Sequence, residues 1–407
     1  MYKKRLIEKS IHEALSTFPA IILTGSRQSG KTTLLKKILP KKYNYVLLDE
    51  LDIRSMAIND PKAFLERYKT PLIIDEIQNA PSLLSYIKSR IDQDRRPGQW
   101  VLTGSQQFTL MKNVSESLAG RVAVLSMYSF TIEEIIGNLN IDKYDVRDFL
   151  EYLAKHNILP GKYPDPGEWL LNGGYPELVV NPSVSKRLWF SSYIQTYIDR
   201  DVRGNIKNVN IHDFEKFLSL IASRTAQELN YSILSRDLGV SVPTIKSWIS
   251  LLEASSIIYL LQPYHKNFGK RIIKAPKLYF MDTGLLSYLV KIKDKEGLLY
   301  GPMSGAIFET AVVGNFVKRF TSLIEESSLY YWRSLDGAEI DLLVETSGQI
   351  YPIEIKLAST LTSHHLKTLK RWFEISRQKD RQGFIVSTSK ETGVIGDKIS
   401  NIHYSLL

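Results

Sequence analysis

Apolar runs alternate with amphipathic stretches along the first third of the chain. The apolar runs are at residues 20–24, 45–48, 72–74, 100–103 and 122–125. They are short and lack strict alternation, as expected for strands that are covered on both faces. Helical patterns lie between them, for example at residues 32–38 and 82–92. This order predicts an α/β domain with a parallel, doubly wound sheet over residues 1–140.

The rest of the chain divides into three further regions. Residues 141–223 show a helical pattern that is interrupted by prolines and by a turn-rich segment. Residues 225–261 have the pattern of a small three-helix unit, which we place in a region at 224–275. From about residue 305 the pattern reads helix, two strands, helix and strand. Residues 276–407 are therefore predicted to form a second α/β domain.

Composition narrows the class of protein. The 407 residues are enough for several domains, each with its own core. A formal net charge of +10 favours acidic partners, with nucleic acid first among them, although a lysine-rich solvated surface accounts for it equally well. The absence of cysteine excludes disulfides and cysteine-ligated zinc. No apolar signal core and no run near the roughly 20 apolar residues of a membrane span are present, so we expect a cytoplasmic protein without a membrane partner.

A phosphate-binding motif follows the first predicted strand. Residues 25–32 match the pattern G-x-x-x-x-G-K-[ST], with an apolar strand before them and a helix after them. The glycines let backbone N–H groups surround the phosphates, and the helix N-terminus adds partial positive charge. We expect Lys31 to contact the β- and γ-phosphates of a nucleoside triphosphate, and the Thr32 hydroxyl to bind Mg²⁺. The predicted nucleotide-binding residues of this segment are Gly25, Ser26, Arg27, Gln28, Ser29, Gly30, Lys31, Thr32 and Thr33.

Two acidic pairs end later strands, and either could supply the second carboxylate of a Mg²⁺ site. They are Asp49 with Glu50, and Asp75 with Glu76. We favour the second pair, because one class of P-loop ATPases has an additional strand between the P-loop strand and the acidic strand. Asp75 would then hold Mg²⁺ through water, and Glu76 would polarise the attacking water as a general base. Alternatively, the pair only caps the next helix.

The strand at residues 100–103 also ends in hydroxyl side chains. Thr103 or Ser105 would lie between the acidic pair and the γ-phosphate and could contact the nucleotide as a sensor. A simple turn is the alternative.

Several segments occur together that are specific in combination. They are residues 23–34, 75–78, 103–105, 117–121, 172–177 and 276–279. The set covers nearly the whole chain and resembles the prokaryotic AAA+ ATPases that carry a C-terminal domain of unknown function with a restriction-endonuclease-like fold. The resemblance implies that the nucleotide is ATP, that ATP is hydrolysed, and that the chain forms a homo-oligomer. It does not define the biological role.

Oligomeric ATPases of this kind often complete the site with an arginine from a neighbouring subunit. Such a cation stabilises charge on the transferred phosphoryl group. Arg121 is our first candidate, and Arg200 and Arg203 are the second. Each of them could instead belong to a structural ion pair.

Residues 232–249 have the layout of a helix-turn-helix. A short helix is followed by Ser241, which can cap a second helix, and the outward face of that helix would present Thr244, Lys246 and Ser247. In a DNA-binding protein this face contacts the major groove, and a following β wing with a basic connector contacts phosphates. Winged-helix modules also serve as packing or protein-contact elements, so both roles stay open.

Four residues of the last domain form a nuclease-like pattern. Asp341 and Glu354 lie on two adjacent apolar strands, and Glu354 and Lys356 are two residues apart, so their side chains point to the same face. The pattern resembles the PD-(D/E)xK nucleases. The resemblance implies that Asp341 and Glu354 bind Mg²⁺, with help from Glu309 on the preceding helix, and that Lys356 orients the attacking water. Such a fold can also persist as a binding module without cleavage.

The leading hypothesis is an ATPase of the AAA+ type. It combines a P-loop NTPase parallel-sheet domain, a helical lid, a winged-helix module and a C-terminal restriction-endonuclease-like α/β domain, and its ATP state would change how the C-terminal half engages DNA. A second hypothesis is a nucleotide-dependent protein-interaction switch with a nuclease-like fold that does not cleave. A third is a Mg²⁺-dependent nuclease that the ATPase only assembles.

Overall fold

The computed structural model describes most of the chain. The described residues are 2–104, 118–137, 139, 146–155, 159, 161–206, 210–264, 275–325, 328–334, 337–346, 348–376, 382–396 and 398–407. Ser105, which the sequence predicts to contact the nucleotide, and most of the basic connector that precedes Lys277 lie outside these residues.

Five parallel strands form the sheet of the N-terminal domain. They are β1 (Ala20–Thr24), β2 (Asn44–Leu47), β3 (Leu72–Asp75), β4 (Trp100–Thr103) and β5 (Val122–Ser126). Their order across the sheet is β2-β3-β4-β1-β5, and every neighbouring pair is parallel. The predicted α/β fold with a parallel sheet is confirmed, and each predicted strand is found to within one residue at each end. Strand β4 separates β1 from β3, as expected for the additional-strand arrangement.

Helices cover both faces of this sheet. They are α1 (Glu8–Thr17), α2 (Lys31–Ile38), α3 (Leu51–Asn59), α4 (Pro61–Arg67) and α5 (Leu83–Gln93), with a short 3₁₀ segment at Ile77–Asn79. A further helix, α6 (Ile132–Ile136), follows β5. α1 and α2 pack on one face, and α3, α4 and α5 pack on the other. Burial on both faces explains why the strands read as continuous apolar runs. Because the strands are parallel, the residues that follow β1, β3 and β4 meet at one edge of the sheet.

The next region is helical, as predicted for residues 141–223. Its helices are α7 (Val146–Lys155), α8 (Pro166–Asn172), α9 (Pro176–Val180), α10 (Lys186–Tyr197), a π-helix (Ile198–Val202) and α11 (Arg203–Asn205). The π-helix continues directly from α10 and carries Arg200 and Asp201 towards the N-terminal domain. Short π-helical segments within helices are rare and are often found at functional sites.

A helix-strand-helix-helix-strand-strand unit follows. Its elements are α12 (Ile211–Ala222), β6 (Gln227–Glu228), α13 (Tyr231–Leu238), α14 (Val242–Ala254), β7 (Ile258–Pro263) and β8 (Lys277–Phe280). The predicted three-helix unit over residues 225–261 is wrong in detail. That span holds two helices and two strands, and the third helix, α12, precedes it. β6 has only two residues and leaves no periodic pattern in the sequence. β8 lies beyond the predicted boundary at residues 275 and 276, yet it pairs with β6 and β7.

The C-terminal region is a mixed α/β unit. Its elements are α15 (Thr283–Leu289), α16 (Lys295–Leu299), α17 (Ser304–Leu323), β9 (Ser328–Arg333), β10 (Glu339–Thr346), β11 (Gln349–Lys356), α18 (Lys367–Ser376), β12 (Gly383–Ser387), β13 (Gly393–Gly396) and β14 (Ile399–His403), with 3₁₀ segments at Ser363–Leu366 and Tyr404–Leu406. None of the helices within the described ranges is long and apolar enough to cross a membrane.

This unit has more strands than the sequence predicts. β9, β10 and β11 are antiparallel neighbours, and β12 runs parallel to β11 and to β14. The prediction of two strands before the second helix is wrong, because it omits β9, whose aromatic side chains are mostly half-buried and show no clear alternation. β9 also pairs with β7, so a sheet with the order β13-β14-β12-β11-β10-β9-β7-β8-β6 continues into the preceding unit.

Helix α17 ties the C-terminal unit to the N-terminal domain. Arg319 Nη1 donates to Glu133 Oε1 at 2.5 Å, and the two side chains are only 0% and 4% exposed. One turn earlier, Asn315 Oδ1 accepts a hydrogen bond from the Ile132 backbone N–H at 2.8 Å. Removing one partner of a buried ion pair leaves the other charge without compensation, which is strongly destabilising. This junction therefore resists separation of the two units.

Asp282, which caps α15, gathers donors from three parts of the chain. Its Oδ2 accepts from Ser129 Oγ at 3.0 Å and from the Gly174 backbone N–H at 2.9 Å, while Oδ1 accepts from the Gly284 and Leu285 backbone N–H groups. The turn-rich segment around residue 174 is therefore held between the N-terminal domain and α15.

Candidate nucleotide-binding site

The loop between β1 and α2 has the backbone shape of a phosphate-binding loop. Gly25 has φ of 134°, and a β carbon there would lie 1.9 Å from the Met127 carbonyl oxygen, so only glycine fits. Gly30 has φ of 94° and precedes the first turn of α2, which no side chain of the described residues caps. The N–H groups of that turn are therefore available to an anion. Gln28 and Thr33 are exposed at the rim of the loop.

Lys31 is folded into the loop. Its Nζ donates to the backbone oxygens of Gly25 and Ser26, both at 2.9 Å, and the side chain is buried. Burial lowers the pKa of the Lys31 ammonium to about 8, although the Glu76 and Asp75 carboxylates act in the opposite direction. Two neutral carbonyls are weaker partners for an ammonium than a charged oxygen, so phosphate oxygens would replace them favourably.

Ser29 shows that the loop fits a phosphate ligand. Its Oγ is buried and has no hydrogen-bond partner among the described residues. A buried hydroxyl without a partner is uncommon, and a phosphate oxygen would satisfy it. The Ser29 carbonyl is fixed by Arg5, whose Nη1 donates to it at 3.0 Å and whose Nε donates to Glu134 Oε1 at 3.0 Å. The N-terminal segment therefore positions the loop.

Asp75 lies directly across from Thr32. Thr32 Oγ1 donates to Asp75 Oδ2 at 2.6 Å, Tyr45 OH donates to the same oxygen at 2.7 Å, and Thr103 Oγ1 donates to Asp75 Oδ1. Burial, followed by the hydrogen bond to Asp75, raises the pKa of Tyr45. A hydroxyl and a carboxylate at this separation are hard oxygen ligands that suit Mg²⁺. The residues therefore fit the ion that the sequence predicts.

Glu76 follows Asp75 and has an unusual backbone conformation. Its φ is 61°, in the left-handed region, and its N–H donates to Thr103 Oγ1 at 3.2 Å. Strained residues of this kind cluster at functional sites. The alternative carboxylate, Asp49, accepts from Asn79 Nδ2 at 2.9 Å. In the part of the chain that the structure describes, Asp49 makes no contact with the threonine of the loop.

The π-helix (Ile198–Val202) contacts the loop directly. Arg27 Nε lies 2.5 Å from Asp201 Oδ2, and its Nη2 lies 3.2 Å from Asp201 Oδ1. The neighbouring Arg200 lies 3.9 Å from Asp49 Oδ2. Two consecutive residues of the π-helix thus contact the two sides of one cleft. Asp201 contacts the P-loop, and Arg200 lies near Asp49, which follows β2. This arrangement links the helical region to the nucleotide site.

The remaining predicted arginines do not enter this cleft. Arg121 Nε lies 2.6 Å from Asp92 Oδ1. Because Arg121 immediately precedes β5, it lies at the amino ends of the parallel strands, opposite the P-loop. Arg203 pairs with Asp199 at 3.3 Å on the same helical segment. Neither arginine completes the nucleotide site of its own chain.

The nuclease-like pattern of the C-terminal unit also comes together. Lys356 Nζ lies 3.2 Å from Asp341 Oδ2 and 2.7 Å from Glu354 Oε2, and the Ile355 N–H donates to Asp341 Oδ2 at 2.7 Å. Burial, followed by the nearby Asp341 charge, raises the pKa of Glu354 well above its usual range. Burial acts to lower the pKa of Lys356, but the Asp341 and Glu354 charges outweigh it and raise that pKa. The lysine lies between the two carboxylates and offsets part of their charge.

Glu309, on α17, is near enough to Asp341 to feel its charge, but it is bound by residues outside the nuclease-like pattern. Its Oε1 accepts from Tyr279 OH at 2.7 Å and lies 3.1 Å from Lys277 Nζ. Burial and then the Asp341 charge raise the pKa of Glu309 to about 7. Within the described residues, no three His, Asp or Glu side chains are arranged so that they could hold a metal ion.

Several residues of the nucleotide site escape sequence reasoning. Tyr45 and Arg5 come from elements outside the predicted motifs, and no motif marks them. Of these residues, only Tyr45 leaves a local signal. It is an aromatic residue with a polar hydroxyl group, and it lies in the strand that precedes Asp49 and Glu50.

Three parts of the chain match known families. Residues 17–136 match the family described as AAA domain, residues 164–296 match Domain of unknown function (DUF8612), and residues 304–407 match Domain of unknown function (DUF4143). The first match agrees with the sheet order and the P-loop. Residues 17–136 therefore form an AAA-type, ATP-binding P-loop ATPase domain.

Similar proteins are found in bacteria. The chain is 28% identical over 360 residues to an uncharacterized protein of Mycobacterium tuberculosis, covering 88% of this chain and 75% of the relative. It is 21% identical over 373 residues to an uncharacterized protein of Haemophilus influenzae, covering 86% and 85% of the two chains.

Two solved structures are among those to which the chain is similar. One is the Walker-type ATPase of Pyrococcus abyssi, with a TM-score of 0.42, 15% identity, and coverage of 71% of this chain and 96% of that one. The other is the ORC2 protein of Aeropyrum pernix in its ADP form, with a TM-score of 0.26, 13% identity, and coverage of 63% and 84%.

Proposed function

We propose that the protein hydrolyses ATP with Mg²⁺ and that its nucleotide state changes how its C-terminal half engages DNA. The observation that carries the proposal is the contact of Thr32 with Asp75 at the edge of the sheet where the P-loop opens. Glu76 stands next to this contact and supplies a carboxylate that can accept a proton.

The chain's own residues supply most of the chemistry. Lys31 exchanges the Gly25 and Ser26 carbonyls for phosphate oxygens, and the first turn of α2 donates N–H groups to the phosphates. Glu76 accepts the proton of a water whose oxygen attacks the γ-phosphorus, and the bond to ADP breaks in line. Thr32, and Asp75 through water, would hold Mg²⁺, which neutralises phosphate charge when bound. Thr103 orients Asp75 and Glu76.

A homo-oligomer would add a cation to the site. Arg121 lies at the end of the sheet opposite the P-loop, so it can reach a nucleotide only in another copy of the chain. Its pair with Asp92 is exposed, and exposed pairs contribute little stability, so Arg121 could exchange partners at low cost. Arg200 and Arg203, the second candidates, are more exposed than Arg121.

Two sets of contacts support coupling between the nucleotide and the C-terminal half. Asp201 of the helical region holds Arg27 of the P-loop, and α17 of the C-terminal unit holds Glu133 of the N-terminal domain through Arg319. A change in the loop therefore has a direct route to the helical region, and the N-terminal domain has a rigid connection to the C-terminal unit.

The element order of residues 211–280 supports a winged-helix module. Three helices and a three-stranded antiparallel sheet follow the order that such modules have, and Ser241 Oγ caps α14 by accepting from the Thr244 N–H at 3.2 Å. Lys246 and Ser247 are exposed on α14, as recognition of DNA requires. The net charge of +10 is consistent with a polyanionic partner.

DNA binding measured at different nucleotide states tests this coupling. Fluorescence anisotropy of a labelled duplex would be recorded with Mg²⁺-ATP, Mg²⁺-ADP and no nucleotide. We expect the affinity of the wild type to differ between ATP and ADP, and the affinity of Lys31→Ala to be the same in all three conditions. Lys246→Ala should weaken binding in every condition. Equal wild-type affinity throughout would refute the coupling.

A second candidate function is Mg²⁺-dependent cleavage of nucleic acid by the C-terminal unit. The convergence of Asp341, Glu354 and Lys356 on one buried point favours it. A metal ion would have to displace the Lys356 ammonium from between the two carboxylates. If it does not, the unit is better explained as a binding module of a nucleotide-dependent interaction switch. Incubation of a plasmid with Mg²⁺ or Mn²⁺ separates the two, because only cleavage by the wild type that Glu354→Gln abolishes supports the nuclease.

A further inference from the structure

A cavity of about 220 Å³ opens beside Glu76. Three arginines line it, one from each of three parts of the chain: Arg27 from the P-loop, Arg54 from α3 and Arg200 from the π-helix. The carboxylates in its wall are Glu76 and Asp49. Cations therefore outnumber carboxylates, which favours an anion in the cavity.

The three arginines differ in their partners. Arg27 makes a two-point contact with Asp201, and Arg200 lies 3.9 Å from Asp49. The Arg54 side chain is only partly exposed, yet its guanidinium forms no hydrogen bond or ion pair with any residue that the structure describes. A guanidinium that is partly removed from water and lacks a counter-ion is unfavourable unless a ligand supplies one. Arg54 is thus the cation in the cavity wall that an incoming anion would pair with.

The position of the cavity indicates which anion this is. Lys31, which contacts the β- and γ-phosphates in the proposed function, is close enough to Glu76 for that carboxylate to be the strongest charge acting on its pKa. A γ-phosphate held by Lys31 would therefore lie on the Glu76 side of the P-loop, beside the cavity that Glu76 lines. Arg54 lines the same cavity.

We propose that Arg54 is a further catalytic residue, which contacts the γ-phosphate from within the same chain. This proposal rests on the proposed ATPase function. In the reaction, the water oxygen forms a bond to the γ-phosphorus, the bond from that phosphorus to the bridging oxygen of ADP breaks, and the electron pair stays on ADP. Glu76 takes the proton of the water. Arg54 donates to γ-phosphate oxygens as charge spreads over them, which is the role that a neighbouring subunit's arginine has in other ATPases.

An arginine that acts on the nucleotide of its own chain has a consequence that an arginine from a neighbouring subunit does not have. The site is then able to tell ATP from ADP in an isolated subunit, because Arg54 contacts the phosphate that ADP does not have.

The test compares ATP and ADP binding in matched variants. Dissociation constants for Mg²⁺-ATP and Mg²⁺-ADP would be measured by calorimetry for the wild type, Arg54→Ala, Arg54→Lys and, as a control on the next helix, Arg67→Ala, whose side chain is exposed. We expect Arg54→Ala to weaken ATP binding about 10- to 100-fold and to leave ADP binding unchanged, as for the loss of a hydrogen bond between charged groups. Arg54→Lys should recover part of the loss, and the turnover number should fall in the same order.

The outcomes distinguish the two proposals. If the wild type binds no ATP, the ATPase proposal fails and this one fails with it. If the wild type binds and hydrolyses ATP but Arg54→Ala keeps its ratio of ATP to ADP affinity, only the role of Arg54 is refuted. An equal loss of ATP and ADP binding in both Arg54 variants would also refute it, because it would show that Arg54 supports the fold and not the γ-phosphate.

Discussion

The Thr32 hydroxyl lies 2.6 Å from the Asp75 carboxylate, although the two residues are separated by 43 positions in the chain. Strand β3 brings Asp75 to this point, because it lies two strands from β1 in a parallel sheet whose carboxyl ends share an edge. The contact selects Asp75 over Asp49 as the carboxylate that faces the P-loop.

Replacing Asp75 by asparagine should impair the use of Mg²⁺ while preserving the shape of the site. We expect the apparent affinity for Mg²⁺ in ATP hydrolysis to fall about 10- to 100-fold. This is the typical effect of mutating a residue that contacts a metal ion through one of the ion's direct ligands. The measurement is the initial rate of phosphate release as a function of Mg²⁺ concentration. Asp49→Asn is the matched control and should have a smaller effect. The opposite ranking would assign the Mg²⁺ role to Asp49.

ATP binding should weaken as the pH rises above 8. Burial lowers the pKa of Lys31 to about 8 in the free protein, and the phosphates favour its charged form, so binding above this pH requires uptake of a proton. Affinity should therefore fall up to about tenfold for each further pH unit. Calorimetry at about pH 9 in two buffers with different heats of ionisation measures the proton uptake directly.

The control for the pH effect is Lys37→Met, which removes an exposed lysine from the same helix. This variant should keep the wild-type profile and the same proton uptake. An affinity that stays constant between about pH 7 and pH 9 would contradict the assignment of the titrating group to Lys31.

The junction of α17 with the N-terminal domain should contribute strongly to stability. Arg319→Met leaves Glu133 buried without this partner, so we expect the free energy of unfolding to fall by about 3–5 kcal/mol. Urea unfolding followed by tryptophan fluorescence measures the change. The double variant Arg319→Met with Glu133→Gln should regain part of the loss, because no buried charge is left.

An exposed pair provides the comparison for this junction. Arg96 and Asp94 are 71% and 47% exposed, so Arg96→Met should change the free energy of unfolding far less than Arg319→Met does. If Arg319→Met had an effect as small as this, the junction would not hold the two units together.

Divalent-ion binding by the C-terminal unit should strengthen with pH. Burial raises the pKa of Glu354, and a metal ion binds only the ionised carboxylate, so protons compete with the metal. Mn²⁺ binding followed by electron paramagnetic resonance should become tighter as the pH rises, and Glu354→Gln should remove it. Glu345→Gln, on the neighbouring strand, is the control. A pH-independent signal that persists in Glu354→Gln would place the ion elsewhere.

Local signals in the sequence were sufficient to predict the P-loop domain. Each buried strand leaves a short apolar run, and Gly25 and Gly30 mark backbone conformations that other residues rarely adopt. The strand order could be anticipated because a parallel α/β sheet has few topologies. The elements that escaped prediction are short, as with β6, or mostly half-buried, as with β9.

Contacts between distant segments could not be predicted in this way. The pairs Arg27 with Asp201 and Glu133 with Arg319 join residues that are 174 and 186 positions apart. Nothing in either local pattern specifies its partner, since a charged residue on a helix is usually solvated. Arg54 was missed for the same reason, because only the fold brings it to the cavity wall.

Equilibrium binding of ATP is the most direct test of the central claim that the P-loop of this chain binds Mg²⁺-ATP through Lys31. ATP would be titrated calorimetrically in excess Mg²⁺ into the wild type and into Lys31→Ala, with Lys37→Met as the control. We expect saturable binding of one ATP per chain to the wild type and the control, and binding at least about tenfold weaker to Lys31→Ala. Absence of saturable binding to a folded wild type, or equal affinity in Lys31→Ala, would contradict it.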